Sequence, residues 1–406
     1  MANCIIAQSG GPTSVINSSV VGLVQANYDL NVFDTVYGGL HGIEGILNKK
    51  LINLNEVSQN KLDIFKYTPS SGLGSCRYKL KSHMESLEEY EKLVAIFKEL
   101  DIKAFFYVGG NDSMDTISKL SAYGNDYNLD IRFIGIPKTI DNDLMYTDHT
   151  PGFGSAAKLI STTVLETNYD ASVYMNNGIF ILETMGRDTG WLASAGALAQ
   201  DNNSPVADFI YLPERPFIVG KFLEDVHKKF KENNKVYIVA SEGLTNEEGD
   251  FLSQLNGLGI HDNFGHAQLG GVGNYLKSTI IDAGITTRVK TLELGVLQRC
   301  SMHIASDIDI EEAHQVGYDA LRYSLEDYSG VMIAIKRESN APYKSTTFAV
   351  ETTKVANKVK YFPNEWINND GNHVTKEAIE YLRPLIYGSP SLHFENNLPK
   401  YKVFNK

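Results

Sequence analysis

Lys138, Thr139 and Asp141 follow one another at the end of an apolar run, with Asp143 just beyond. A lysine beside two aspartates at a strand's carboxyl end suits phosphoryl transfer. The lysine neutralises phosphate charge, one carboxylate takes a proton, and another holds Mg²⁺. Some thirty residues earlier stands Gly109-Gly110-Asn111-Asp112-Ser113. Glycines there let backbone approach a ligand with no Cβ in the way. Asp112, Ser113 and Asp115 open a helix whose N-terminal amides face outward. Strand, glycine turn and helix N-terminus together make an arrangement that holds phosphate.

The surrounding pattern supplies elements to carry these groups. Ala104 to Val108 is apolar and rich in aromatic residues, as a buried strand would be, and Ile131 to Ile136 reads as the next strand. Asn3 to Ala7 is a further strand. It runs into Gly10-Gly11 and then a helix capped by Thr13 or Ser14. By itself that turn fits a phosphate loop and a ligand-free strand–helix connection equally well. Ser70 to Arg77 is a glycine-serine loop ending in an arginine. Ile179 to Leu182 is a strand ending in Met185-Gly186-Arg187, and Val236 to Ala240 is another ending in Glu242. Arg288 to Leu294 is a strand that leads to Leu297-Gln298-Arg299. Strands alternating with helices, and glycine turns at strand ends, imply parallel sheets with helices on both faces. Ligands in such sheets bind outside the strands' carboxyl ends.

The order Gly109-Gly110-Asn111-Asp112-Ser113, then Pro137-Lys138-Thr139-Ile140-Asp141-Asn142-Asp143, resembles the phosphofructokinase family, and within it the pyrophosphate-dependent branch. The resemblance covers about the first 340 residues. It implies an α/β fold of two Rossmann-like lobes, each a mostly parallel sheet flanked by helices, with the active site in the cleft between them. The implied division puts residues 1–152 with 298–343 in a larger, donor-binding lobe and 153–297 in a smaller, sugar-binding lobe. Residues 344–406 are then a C-terminal extension. The implied reaction moves a phosphoryl group to the C1 hydroxyl of fructose 6-phosphate. Asp141 is then the general base, with Thr139, Ile140 and Asp141 at the sugar. Lys138 and Arg77 offset charge on the transferred group, although Arg77 could equally be a surface side chain in a flexible loop. Gly10, Gly11, Asp112 and Lys138 hold the donor. Met185, Gly186, Arg187 and Arg299 take the fructose 6-phosphate, and Arg288 or Lys290 reaches the same group from a neighbouring subunit. Arginine suits that work because its planar fork donates two hydrogen bonds to one phosphate. Glu242 bonds sugar hydroxyls on this reading; the plain alternative is an exposed strand-end carboxylate.

Two positions bear on the donor. ATP-using relatives carry glycine where this chain has Asp112 and Lys138. Asp112 adds bulk and negative charge where adenosine would lie, and Lys138 fills space while serving a short donor, so the pair points to pyrophosphate. The metal is expected to be Mg²⁺, with Asp112 and Asp143 as ligands and Asn111 at the position of the family's usual aspartate. Asparagine offers only a neutral carbonyl to a hard cation. Gly178 stands where bacterial ATP-dependent relatives place a subunit-crossing arginine. The competing readings are an ATP-dependent 6-phosphofructokinase and a non-catalytic subunit of the same fold. The latter should have lost the base or the lysine, and this chain keeps both.

Bulk properties agree with such an enzyme. The chain has 406 residues, 43% hydrophobic and 21% charged, long enough for two separate cores. Its net charge of −12 makes it a poor partner for nucleic acid or an anionic membrane. Three scattered cysteines, Cys4, Cys76 and Cys300, read as reduced thiols of a cytoplasmic protein. No apolar stretch reaches the 18 residues of a membrane span, and no signal peptide is expected. A sugar site completed across subunits implies a homodimer or homotetramer. His149, His261 and His303 match no catalytic spacing and read as packed or solvated side chains.

Overall fold

The computed structural model describes residues 2–174, 177–255 and 269–404. The chain divides into two compact units. One comprises Met1–Ser155, Arg299–Val359 and Ile386–Lys406; the other comprises Ala156–Gln298 and Lys360–Leu385. Among the described residues no helix is long and apolar enough to cross a membrane.

The first unit is built on a seven-stranded sheet. From edge to edge its strands are Tyr343–Glu351, Val331–Asn340, Arg132–Pro137, Ile102–Gly109, Asn3–Gln8, Val36–Gly39 and Leu51–Asn53. The five inner strands pair in parallel, and each edge strand pairs antiparallel to its neighbour. Successive side chains on a strand point to opposite faces. Cys4 and Ile6 therefore enter one core with Ala104, Phe106, Val108 and Ile134. Ile5 and Ala7 enter the other with Phe105, Tyr107 and Phe133. Burial on both faces explains why these strands read as unbroken apolar runs.

Helix Ile16–Leu30 follows the first strand and crosses helix Asp307–Leu325 in backbone contact. A Cβ on Gly22 would fall 2.0 Å from the His314 carbonyl oxygen, and one on Gly317 would fall 1.9 Å from that of Ser19. The first helix has Val15 at its cap, with no side-chain cap bond. The expected capping by Thr13 or Ser14 is thus not made; both side chains are buried instead.

The second unit has a four-stranded sheet in the order Val289–Glu293, Gly178–Thr184, Lys235–Ser241, Phe209–Tyr211, every pair parallel. Ile179, Ile181, Val236 and Ile238 pack one face against Leu276 and Ile280 of helix Val272–Asp282. That helix begins at Val272; His261 lies outside the described residues.

The expected C-terminal extension is corrected. Tyr343–Glu351 is a strand of the seven-stranded sheet. Residues 360–385 belong to the second unit, where Phe362, Trp366 and Tyr381 surround Trp191, the Phe362 ring centroid 4.9 Å away. Residues 386–406 return to the first unit, where Phe404 packs 4.9 Å from Phe65. Isolated aromatic anchors carry this segment, and they leave no periodic signal in the sequence.

Candidate active site

In the first unit three adjacent parallel strands end level. Gln8 lies opposite Val108, and Gly109 opposite Pro137. Gly10-Gly11, Gly109-Gly110-Asn111 and Lys138–Asp143 thus leave the sheet side by side at its carboxyl edge. Gly10 has φ +74°, a left-handed conformation that favours glycine. Its N–H donates to the Cys76 carbonyl at 3.1 Å, and Ser75 Oγ donates to its carbonyl at 2.7 Å, which ties the loop carrying Arg77 to the first turn.

Lys138 is 3% exposed and donates from Nζ to the Gly11 carbonyl at 2.8 Å. A Cβ on Gly11 would meet Arg299 Nη1 at 2.9 Å. Burial lowers the Lys138 pKa to about 8, against the pull of Asp141 and Asp143 and with the push of Arg299 and Arg77. The structure therefore brings Gly10, Gly11, Arg77, Lys138, Asp141, Asp143 and Arg299 into one neighbourhood. Arg299, expected at the sugar 6-phosphate, stands against the Gly10-Gly11 turn. Its Nε and the Thr13 hydroxyl are buried with no hydrogen-bond partner among the described residues.

Thr139 shapes the carboxylate that follows it. Its Oγ1 accepts from the Asp141 N–H at 3.1 Å and lies 3.3 Å from Asp141 Oδ2. Ile140, between them in sequence, is buried. Asn142 is fully buried at φ 54°, and its Oδ1 accepts from the Thr150 N–H at 3.1 Å.

Helix Asn111–Asp126 starts directly after Gly110, with Asp112 exposed in its first turn. Asn111 faces the chain: its Oδ1 accepts from the Asn357 N–H, and its Nδ2 donates to the Lys358 carbonyl. At the position of the family's usual aspartate, Asn111 thus has its side-chain oxygen turned to backbone. Among the described residues no group of three or more His, Cys, Asp or Glu is arranged to hold a metal. Mg²⁺ keeps most of its waters and is commonly bound through one or two carboxylates plus phosphate oxygens. Asp143, felt electrostatically at Lys138, and Asp112, exposed in the first turn of the helix, suit that mode of binding.

In the second unit Met185-Gly186-Arg187 and Glu242 leave adjacent strands, Thr184 lying opposite Ser241. Gly186 has φ +124°, and Ser241 Oγ donates to its carbonyl at 2.6 Å. A Cβ on Gly243 would fall 1.9 Å from the Arg187 carbonyl oxygen, so these two turns lie backbone to backbone. The Met185 N–H donates to Gln298 Oε1 at 3.2 Å. Arg288 and Lys290 lie elsewhere. Val289 pairs with Ile179 at the amino end of the sheet, roughly 20 Å of strand from Met185. The Arg288 guanidinium sits 5.4 Å from the Tyr174 ring, and Lys290 pairs with Asp170 at 3.2 Å, both cations exposed. Gly178 has φ +111°, and a Cβ there would lie 2.4 Å from the Arg288 carbonyl oxygen, so this backbone admits no arginine at 178.

Sequence reading passed over several residues that position the site. Gln8 and Asn17, both fully buried, bond each other at 2.8 Å and hold the Leu73 and Gly72 N–H groups ahead of Arg77. Glu183, 3% exposed, accepts from the N–H groups of Gly271 and Gly273 and so seats helix Val272–Asp282. A polar side chain inside an apolar strand was the available signal for both Gln8 and Glu183. His303 is exposed, and His149 is almost wholly buried between two carboxylates. No cysteine is in a disulfide.

The phosphofructokinase family model matches residues 3–323. The pyrophosphate–fructose 6-phosphate 1-phosphotransferase of Methylococcus capsulatus is 39% identical over 98% of this chain and 95% of its own length. The sulfofructose kinase of Alkalicoccus urumqiensis is 32% identical over 84% of this chain and 85% of its own. The crystal structure of the pyrophosphate-dependent phosphofructokinase from Nitrosospira multiformis superposes with a TM-score of 0.89 at 36% identity, covering 99% of this chain and 96% of that one. With the glycine turns, Lys138 and its two aspartates at the carboxyl edge of a parallel sheet, this chain belongs to the phosphofructokinase family.

Proposed function

We propose that this enzyme transfers a phosphoryl group reversibly from pyrophosphate to the C1 hydroxyl of D-fructose 6-phosphate, in glycolysis and gluconeogenesis. Fructose 1,6-bisphosphate and phosphate are the products. The observation that carries the reading is the buried Lys138 ammonium, bonded to the Gly11 carbonyl, with Asp141, Asp143, Arg77 and Arg299 around it. Asp141 takes the hydroxyl proton as the C1 oxygen attacks phosphorus. Thr139 orients that carboxylate, and Ile140 stands with it at the sugar. Lys138, Arg77 and Arg299 stabilise charge on the transferring group, and the amides of Gly10 and Gly11 hold the diphosphate. A diphosphate oxygen held at Gly11 and beside Arg299 Nε would give that buried group a partner. Met185, Gly186, Arg187 and Glu242 hold the sugar phosphate. Arg288 and Lys290, at the far end of their sheet, serve a neighbouring subunit of a cytoplasmic homodimer or homotetramer. Mg²⁺ would sit on Asp143 and Asp112 with diphosphate oxygens, supplying further charge neutralisation.

The test is an initial-rate assay with pyrophosphate or ATP as donor, and with fructose 6-phosphate or sulfofructose as acceptor. Pyrophosphate with fructose 6-phosphate should be preferred by at least about a hundredfold, nearly 3 kcal/mol of discrimination. Preference for ATP would overturn the donor, and preference for sulfofructose the acceptor.

The depressed Lys138 pKa gives a pH dependence with a definite sign. Burial works against the charged form, so the ammonium is lost as pH rises through about 8. kcat/KM for pyrophosphate, which reports the free enzyme, should fall from about pH 7.5 to pH 9. kcat should hold over the same range, because a bound dianion restores the lysine's proton. A flat kcat/KM profile through pH 9 would remove Lys138 from donor binding.

A further inference from the structure

The segment after Asp141 turns back on itself, and its return arm carries a side chain that the chemistry above does not use. The Thr139 N–H donates to the Pro151 carbonyl at 3.3 Å. Thr150 Oγ1 donates to the Thr139 carbonyl at 2.8 Å, and the Thr150 N–H donates to Asn142 Oδ1 at 3.1 Å. Thr150 thus grips the chain on both sides of Asp141. Its neighbour His149 is 1% exposed, with Nδ1 2.8 Å from Asp148 Oδ1 and Nε2 2.6 Å from Glu312 Oε2. Carboxylates only accept hydrogen bonds, so an imidazole facing one at each nitrogen satisfies both only as a double donor. The outer ends are secured as well. Asp148 Oδ1 accepts from Arg337 Nε and Nη2 at 3.1 and 2.9 Å, and Glu312 Oε1 accepts from the Tyr343 hydroxyl at 2.6 Å. One helical turn before Glu312, Asp309 receives the Gly152 and Ser155 N–H groups at 2.8 and 2.9 Å.

We propose that His149, clamped between Asp148 and Glu312, is a positioning residue: it fixes the return arm to helix Asp307–Leu325 and so sets the angle at which Asp141 meets the sugar hydroxyl. The inference rests on Asp141 being the base. His149 touches no reacting atom, and its effect passes through Thr150 to Thr139 and Asn142. Protonation agrees with the geometry. Burial alone would lower the imidazole pKa, but Glu312 and Asp148 outweigh it and raise it to about 9. The charged and titratable groups on every element packed there are Asp148 on the loop, Glu312 and Asp309 on the helix, and Arg337 and Tyr343 on the two strands. A displaced base costs rate without costing affinity, because near-attack geometry is lost while the binding groups remain.

The test is steady-state kinetics on His149→Gln, Glu312→Gln, the double variant and Asp141→Asn, with thermal unfolding of each. His149→Gln should lower kcat about 10- to 100-fold and leave both KM values within about twofold. The double variant should recover part of that loss, since two glutamines bond each other without charge. Glu312→Gln keeps an acceptor for Nε2 and covers the case in which His149→Gln does not fold. With the counter-charge gone, its kcat at saturating substrate should decline as pH rises through the ordinary imidazole range. Unchanged kcat in His149→Gln overturns the proposal, as does an unchanged kcat profile in Glu312→Gln. Full turnover by Asp141→Asn would instead overturn the assignment of the base. An inactive Asp141→Asn beside an unimpaired His149→Gln would overturn the clamp alone.

Discussion

Asp141→Asn should lower kcat about a thousandfold while the protein folds as before and binds its substrates. Proton removal by a placed side chain contributes typically 10²–10⁴-fold; a thousandfold loss corresponds to about 4 kcal/mol of transition-state stabilisation. The substitution is well suited to the question because asparagine keeps the shape. The backbone N–H of residue 141 still reaches Thr139 Oγ1, and an amide oxygen can replace Oδ2 in the second contact with that hydroxyl. What vanishes is the capacity to accept a proton. The expected pattern is a collapse of kcat and kcat/KM together, with KM for both substrates and the unfolding temperature little changed. Turnover within tenfold of the unaltered enzyme would mean that another group takes the proton. A matching fall in unfolding temperature would mean that the fold, not the chemistry, had been damaged.

The donor pocket yields the second large effect. Asp112→Gly combined with Lys138→Gly should lower kcat/KM for pyrophosphate about a thousandfold and raise the use of ATP. The two positions contribute differently. Lys138 is buried and its ammonium reaches the Gly11 carbonyl, so removing it deletes a cation from a low-dielectric site. Loss of one such stabilising donor costs about 10²–10³-fold. Asp112 is exposed on the first turn of its helix, so its removal should leave stability almost unchanged and act through space and charge alone. Lys138→Met separates bulk from charge. It keeps the volume, so it should lose pyrophosphate without admitting ATP, whereas glycine should lose one and admit the other. Initial rates with each donor for the double variant and Lys138→Met decide the matter. Undiminished pyrophosphate use in the double variant would end this account of donor choice.

Much of the site could be read from the chain because its chemistry is local. A strand, a glycine turn and a helix N-terminus are consecutive in sequence, so Gly109–Ser113 stands out, whereas Gly10-Gly11 alone fits a ligand-free turn equally well. Lys138, Thr139, Asp141 and Asp143 are a single short run, and the parallel register that aligns Gly109 with Pro137 follows from apolar strands separated by helices. Arg288 and Lys290 were readable as basic residues, yet only the register of their strand puts them at the end of the sheet away from Met185.

What residue order dictated here is the set of candidate reacting groups and the sheet edge from which they project, since backbone conformation and side-chain alternation act over a few residues. Tertiary structure alone decided which distant segments hold those groups. It gave His149 a carboxylate 163 positions away and turned Asn111 to the backbone of Asn357 and Lys358. It also set Arg299 against Gly11 and drew Phe362 onto Trp191. Each of these contacts is a choice of partner among many chemically equivalent candidates. Periodicity and propensity carry no record of that choice, because it is made by the packing of the whole core.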